Sequence, residues 1–326
     1  MKKHLSTLSL LAVAGLTLAG CESNSSTASS STASSNSDTL TVVTSTDVYA
    51  DIVEAVGGDL IDTTPIIAST AVDPHSYEAT SQDRLTVKDA DLVLINGGGY
   101  DSFLEHMAQT DNPDQVLVDA VKLSGLFSEE DLAHMAEEHA AHEGETEEEH
   151  AAHVHSYNEH VWYDLETMQK TALQVAEELG KLDSANAETY KASAAEFSAQ
   201  IDELIGRVAA LNTSERTYIA TEPVPGYLLE DAGYTDVTPS DLIAAVDSDS
   251  DIAPLTMQET KDAITGGTVD LLAYNEQTQT AQTTEIYTFA QDSNVAAISF
   301  TETLPENTGF LDWMKANIDN LEKAEA

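Results

Sequence analysis

Residues 165–211 contain no proline and only two glycines, Gly180 and Gly206, while apolar side chains recur every three or four positions. Leu173, Ala176, Leu179, Phe197, Ile201, Leu204 and Val208 therefore fall on one stripe of a helical surface. Leu182-Asp183-Ser184 supplies a cap signal within the stretch, so it reads as a short helix followed by a long one. A long helix between two lobes would act as a stiff connector.

Both flanks carry sheet signals. Before the block, Thr39–Ser45, Thr63–Ala68, Asp91–Ile95 and Gln115–Asp119 read as strands from their β-branched or continuous apolar runs. Val48–Val56 has helical spacing and stops at Gly57-Gly58, and Asn96-Gly-Gly-Gly99 reads as a turn. After the block, Arg216–Thr221, Val269–Tyr274 and Val295–Phe300 read as strands, with helices over Gly226–Ala232, Thr283–Asp292 and Phe310–Ala324. Alternation of this kind builds parallel, helix-covered sheets. The expected fold is two α/β lobes, residues 39–164 and 213–326, each a mostly parallel sheet with flanking helices. A long rigid linker helix within residues 165–212 joins them.

The N-terminal residues read differently. Lys2 and Lys3 precede an apolar stretch, Leu5–Leu18, that is too short for a membrane span of about 20 residues and has the layout of an export signal. Residues 1–20 are expected to be a signal peptide. Leu18-Ala19-Gly20 leads into Cys21, the chain's single cysteine, and resembles the lipobox at which bacterial lipoproteins are lipidated. The nine serines of residues 22–38 cannot bury enough apolar area to order a chain, so residues 21–38 read as a lipidated cysteine and flexible tether. A lone cysteine excludes a disulfide framework, and its use for lipid leaves His, Asp and Glu to bind any metal.

The formal charge of −45 rules out nucleic acid as a partner, since phosphate recognition depends on Lys and Arg. Spread along the chain, this charge serves solubility, and it also attracts cations to the surface.

Three features carry chemistry. Asp73-Pro-His75-Ser-Tyr-Glu78 follows the second strand, and the Asp-Pro turn places His75 in a loop beyond the strand's carboxyl end, where α/β sheets bind ligands. Asn158-Glu-His160-Val-Trp-Tyr-Asp164 sets a histidine before a buried-looking aromatic pair and a helix-capping acid. Either histidine alone fits a surface or packing role as well as a ligand. The third feature is the loop of residues 133–155, which holds His134, His139, His142, His150, His153 and His155 among seven glutamates, with no Lys or Arg. Imidazole and carboxylate donors at this density suit transient metal coordination.

In this order, lipobox, serine-rich tether, the two histidine motifs, Asn-Gly-Gly-Gly and the His-rich loop resemble the metal-binding lipoproteins of zinc and manganese ABC importers. The resemblance runs from about Leu40 to the C-terminus. It implies four metal ligands between the lobes, matching His75, His160, Glu222 after the strand Thr217-Tyr-Ile-Ala-Thr221, and Glu302 after the last strand. Pro223-Val-Pro225 beside Glu222 departs from the family pattern. It also implies a cognate ABC permease with its ATPase as partners, a monomeric protein, and lipid anchoring outside the cell membrane. The His-rich loop points to Zn2+ as the bound ion, whereas the two-glutamate set points to Mn2+; zinc is favoured. Rival readings are a secreted zinc-dependent hydrolase and a surface adhesin or metal buffer. No His-Glu-x-x-His helix motif supports the hydrolase, and the expectation is a binding protein, not an enzyme.

Overall fold

The computed structural model describes residues 39–141, 157–211, 213–248 and 250–325. The expected signal peptide, Cys21, the tether, and His142, His150, His153 and His155 of the loop lie outside the described residues. So does the side chain of His139, whose backbone lies in the last turn of a helix.

The first lobe contains β1 (Leu40–Thr46), α1 (Asp47–Gly57), β2 (Ile61–Ile67), α2 (Ser81–Lys88) and β3 (Leu92–Ile95). It continues with α3 (Ser102–Asp111), β4 (Val116–Asp119), α4 (Ala120–Ser124) and α5 (Glu129–Ala141). A 3-10 turn, Val161–Tyr163, precedes α6 (Leu165–Leu182) and α7 (Ala187–Leu211). The second lobe holds β5 (Thr217–Ala220), α8 (Gly226–Asp231), β6 (Thr235–Asp236), α9 (Ser240–Asp247) and α10 (Pro254–Thr265). It ends with β7 (Leu271–Asn275), α11 (Ala281–Asp292), β8 (Ala296–Phe300) and α12 (Phe310–Ala324).

Each lobe has a four-stranded, all-parallel sheet, in the orders β2-β1-β3-β4 and β6-β5-β7-β8. The two-lobe α/β architecture read from the strand pattern is the one observed. In both sheets the strand order reverses direction beside the first strand, which opens a crevice at the carboxyl ends of β1 and β3 and of β5 and β7.

Strand alternation divides the core into three. Val42, Leu92 and Leu94 face a central cluster, while Val43, Val93 and Ile95 face an outer layer with Val87, Leu104 and Met107. In the second lobe Leu271, Ala273 and Phe300 face the same central cluster, and Ile219 and Leu272 face an outer layer with Leu242, Ile264 and Ile286. The central cluster also takes Tyr49 and Ile52 of α1, Phe197 and Ile201 of α7, and Trp313 and Met314 of α12. The long helix α7, about 37 Å at 1.5 Å per residue, packs on α1 of one lobe and α12 of the other. One continuous apolar core therefore holds the lobes together, and the helical block forms its spine.

Several helices carry no sequence signal strong enough to be read beforehand. Only Val87 of α2 is buried, and the helix is set by a capping box in which Thr80 and Asp83 exchange backbone bonds. Strand β6 has two exposed residues, too few for any pattern.

Candidate metal centre

The carboxyl ends of the two sheets meet across the crevice. His75 sits in the loop after β2, its backbone N–H bonded to Asp73 Oδ1 at 3.0 Å. Its Nε2 lies 3.2 Å from Glu302 Oε2, in the segment after β8. His160 Nε2 lies 3.9 Å from the same carboxylate oxygen. Among the described residues, His75, His160 and Glu302 form a group whose ligand atoms all fall within 4.8 Å of one another. Ligands held about 2.1 Å from a tetrahedral zinc ion stand about 3.4 Å apart, so this spacing needs only a small contraction.

The presentation of His160 is built by Asn158. Asn158 Oδ1 accepts from the His160 backbone N–H at 3.1 Å and from ring Nδ1–H at 2.7 Å, which places the ring's lone pair on Nε2, toward Glu302. Asn158 is itself tied to the second lobe. Its Nδ2 donates to the Pro223 carbonyl at 2.9 Å, and Tyr227 Oη donates to its backbone carbonyl at 2.5 Å. Gly226 permits this approach, because a Cβ there would sit 2.8 Å from Asn158 Nδ2. From the other side, Asn96 Nδ2 holds the Glu159 carbonyl at 3.0 Å. Gly97, next along, has φ +81 and leaves room for Asp119, whose Oδ1 a Cβ would meet at 2.2 Å.

Asp73 and Asp164 lie near the two histidines in sequence, yet neither orients an imidazole. Asp73 caps its own loop, and Asp164 caps α6 by accepting from Thr167 N–H at 3.1 Å.

Glu302 is fully enclosed and makes two further contacts: Tyr100 Oη donates to Oε2 at 3.2 Å and Asn275 Nδ2 to Oε1 at 2.8 Å. Glu222 adjoins the group without joining its ligand atoms. Asn275 Nδ2 also bonds Glu222 Oε2, and Thr278 Oγ1 donates to Glu222 Oε1 at 2.5 Å. Both oxygens of Glu222 are thus engaged.

The electrostatics follow from packing acids around two imidazoles. Burial opposes a charge on His75, but Glu302, with Glu159 and Glu222 behind it, holds the ring proton well above the usual histidine range. Burial likewise opposes ionisation of Glu302, and His75 and His160 more than offset it, so its pKa is lowered. Glu222 moves the opposite way, raised by burial and then by the charge of Glu302. Without a cation, then, the packing favours the charged form of Glu302 beside a protonated His75 and pushes Glu222 toward its neutral form.

The structure brings His75, His160 and Glu302 together, with Glu222 alongside. Asn158 stood in the His160 motif without a role assigned to it, and Tyr100, Asn275 and Thr278 carried no motif; amide and hydroxyl side chains in loops give no periodic signal. His134 lies on α5, away from this group.

A family model described as zinc-uptake complex component A, periplasmic, matches residues 42–324. The high-affinity zinc uptake system protein ZnuA of Bacillus subtilis is 26% identical, covering 98% of each chain. The manganese-binding lipoprotein MntA of Halalkalibacterium halodurans is 24% identical over 98% of this chain and 97% of its own. Among solved structures, the periplasmic zinc-binding protein TroA from Treponema pallidum superposes with a TM-score of 0.68 at 18% identity, over 88% of this chain and 99% of that one. At that identity the likeness concerns the fold.

Proposed function

Because the chain belongs to the periplasmic zinc-uptake complex component A family, we propose that it captures a divalent transition metal between its lobes and delivers it to an ABC importer. The observation that carries this reading is the convergence of His75, His160 and Glu302 from two lobes onto one point. Neutral imidazoles and a carboxylate are the donor set that zinc takes readily. Glu222 stands next to them as the fourth donor. Zn2+ is the favoured cargo and Mn2+ the alternative, matching the split among the relatives between zinc uptake and manganese binding.

The partners in this reading are a permease with its ATPase, and the protein works as a monomer. Cys21 carries a lipid that holds the chain outside the cell membrane, with residues 22–38 as tether. No helix among the described residues is long and apolar enough to cross a membrane. Family membership supports uptake over the zinc-hydrolase and adhesin readings. The segment of residues 133–155 with its six histidines, expected as a loop but helical in α5 as far as Ala141, gathers additional metal weakly and supplies no donor to the central site.

The test is a metal titration of protein lacking residues 142–155, a deletion that leaves α5 and its buried Met135 in place. One tight equivalent should remain, and saturating zinc should raise the melting temperature, since a ligand at a thousandfold over its dissociation constant adds about 4 kcal/mol. His75→Ala and His160→Ala should each lose most of that rise. An undiminished rise in both would place the metal elsewhere. Competition between zinc and manganese on the same protein decides the cargo.

A further inference from the structure

Gln277 lies two residues past the end of β7, and its side chain spans the crevice. The amide oxygen accepts three hydrogen bonds from the segment bearing Glu302: Glu302 N–H at 2.9 Å, Thr303 N–H at 3.1 Å and Thr303 Oγ1–H at 3.1 Å. The amide nitrogen donates to the Val72 carbonyl of the first lobe at 2.8 Å, 205 residues away. Three donors at one end and a carbonyl at the other admit only this orientation of the amide. The Gln277 backbone N–H is in turn held by Asn275 Oδ1 at 3.0 Å.

Val72 sits three residues before His75, in the loop after β2. Apart from the His75–Glu302 contact, the other hydrogen bonds made by residues 69–77 among the described residues stay within that loop or reach Asp83 of α2. The loop's backbone is thus fastened to the second lobe through Gln277. We propose that Gln277 is a positioning residue for metal capture, tying the loop of His75 to the segment of Glu302 so that both donors reach the ion in register. The inference rests on the assignment of His75 and Glu302 as ligands. Gln277 is uncharged and its side-chain bonds go to Val72, Glu302 and Thr303, so it acts on the ion through the placement of others. Ordering two donors in advance removes part of the entropy that binding must otherwise supply.

A double-mutant cycle tests this on the full chain, with zinc as the probe and the tightest equivalent as the readout. Gln277→Ala removes all four side-chain bonds and should weaken zinc binding at least about tenfold; it should also lower the metal-free melting temperature, an effect the cycle separates from binding. In the His75→Ala background the same substitution should cost less than about twofold, because the loop no longer carries a donor. Gln277→Glu keeps the three accepted bonds and loses the donor to Val72. Its added charge would by itself draw a cation in, so weaker binding by this variant isolates the lost cross-lobe bond. An equal loss in both backgrounds, or full affinity in Gln277→Glu, overturns the proposal. Should His75→Ala alone leave zinc affinity intact, it is the ligand assignment that fails, a result separate from the behaviour of Gln277.

Discussion

Asn158 accepts the Nδ1 proton of His160 at 2.7 Å, and that bond decides which ring nitrogen faces the second lobe. The motif Asn158-Glu-His160 is therefore one working unit, in which the asparagine chooses the tautomer and the histidine presents the lone pair. Partners of this kind typically matter 10- to 100-fold to metal affinity, so Asn158→Ala should weaken zinc binding by about that range. Asn158→Asp retains the acceptor and should recover most of the loss, although it forfeits the donor to Pro223. Isothermal titration of both variants decides this. Equal weakening by Ala and Asp would show that the bond to Pro223, and not the imidazole tautomer, is what matters.

Glu302 and Glu222 should respond unequally to removal of charge. Glu302 Oε2 faces both imidazoles, whereas each oxygen of Glu222 is occupied by Asn275 or Thr278. Glu302→Gln is expected to weaken zinc binding at least about 100-fold, and Glu222→Gln about tenfold or less, because a fourth donor that must first release Asn275 or Thr278 adds less net binding free energy. Comparable losses would mean that Glu222 leaves Thr278 and binds the ion as fully as Glu302.

The raised pKa of His75 has two opposite consequences. Its proton competes with the metal, so affinity should start to fall with decreasing pH well above 6.5, where an ordinary histidine would begin to compete. For the metal-free protein the sign reverses. A folded pKa above the unfolded one stabilises the fold fully below 6.5, and this contribution disappears as pH rises through the folded value. Metal-free protein should therefore lose melting temperature between slightly acid and alkaline pH, by a small amount because the His75 side chain is 37% exposed. His75→Ala should flatten that part of the profile. A mutant profile parallel to the wild type would assign the titration to another group.

The elements that the sequence disclosed are those with dense apolar patterns. Leu92-Val-Leu-Ile95 is buried at every position, and the stripe of α7 contributes Phe197, Ile201, Leu204 and Val208 to the core. Helix α2 went unread because its capping box supports a face with a single buried side chain, Val87. At the metal centre, His75 and His160 could be singled out by residue type and motif. Glu302 was reachable only through family resemblance, since a lone acid after a strand looks like many others. Asn275 and Gln277 were beyond reach altogether, because their partners are set by how two lobes dock. No spacing rule links Gln277 to Val72.

Away from the histidines, a cleft of about 780 Å³ is lined by Asp47, Asp51 and Glu54 of α1 and by residues 304–309 of the second lobe. Asp47 Oδ1 accepts the Leu304 N–H at 3.0 Å and Asp51 Oδ2 the Phe310 N–H at 2.7 Å, so two carboxylates help to fasten the lobes. Burial pushes the Asp47 carboxyl up to about 6, against the lowering effect of its backbone bonds. A raised folded pKa means that the fold prefers the protonated acid. The group's favourable contribution is complete below 3.8 and is lost as pH rises through about 6. Above that pH the ionised group is held at a cost, discounted to about 1 kcal/mol because the side chain is only half-buried and favours the helix N-terminus it occupies. Asp47→Asn keeps an oxygen for the Leu304 N–H and removes the charge. It should therefore melt a few degrees higher than the wild type at pH 8 and match it at pH 4. A lower melting point at pH 8 would show that the ionised carboxylate is worth more to the lobe interface than its burial costs.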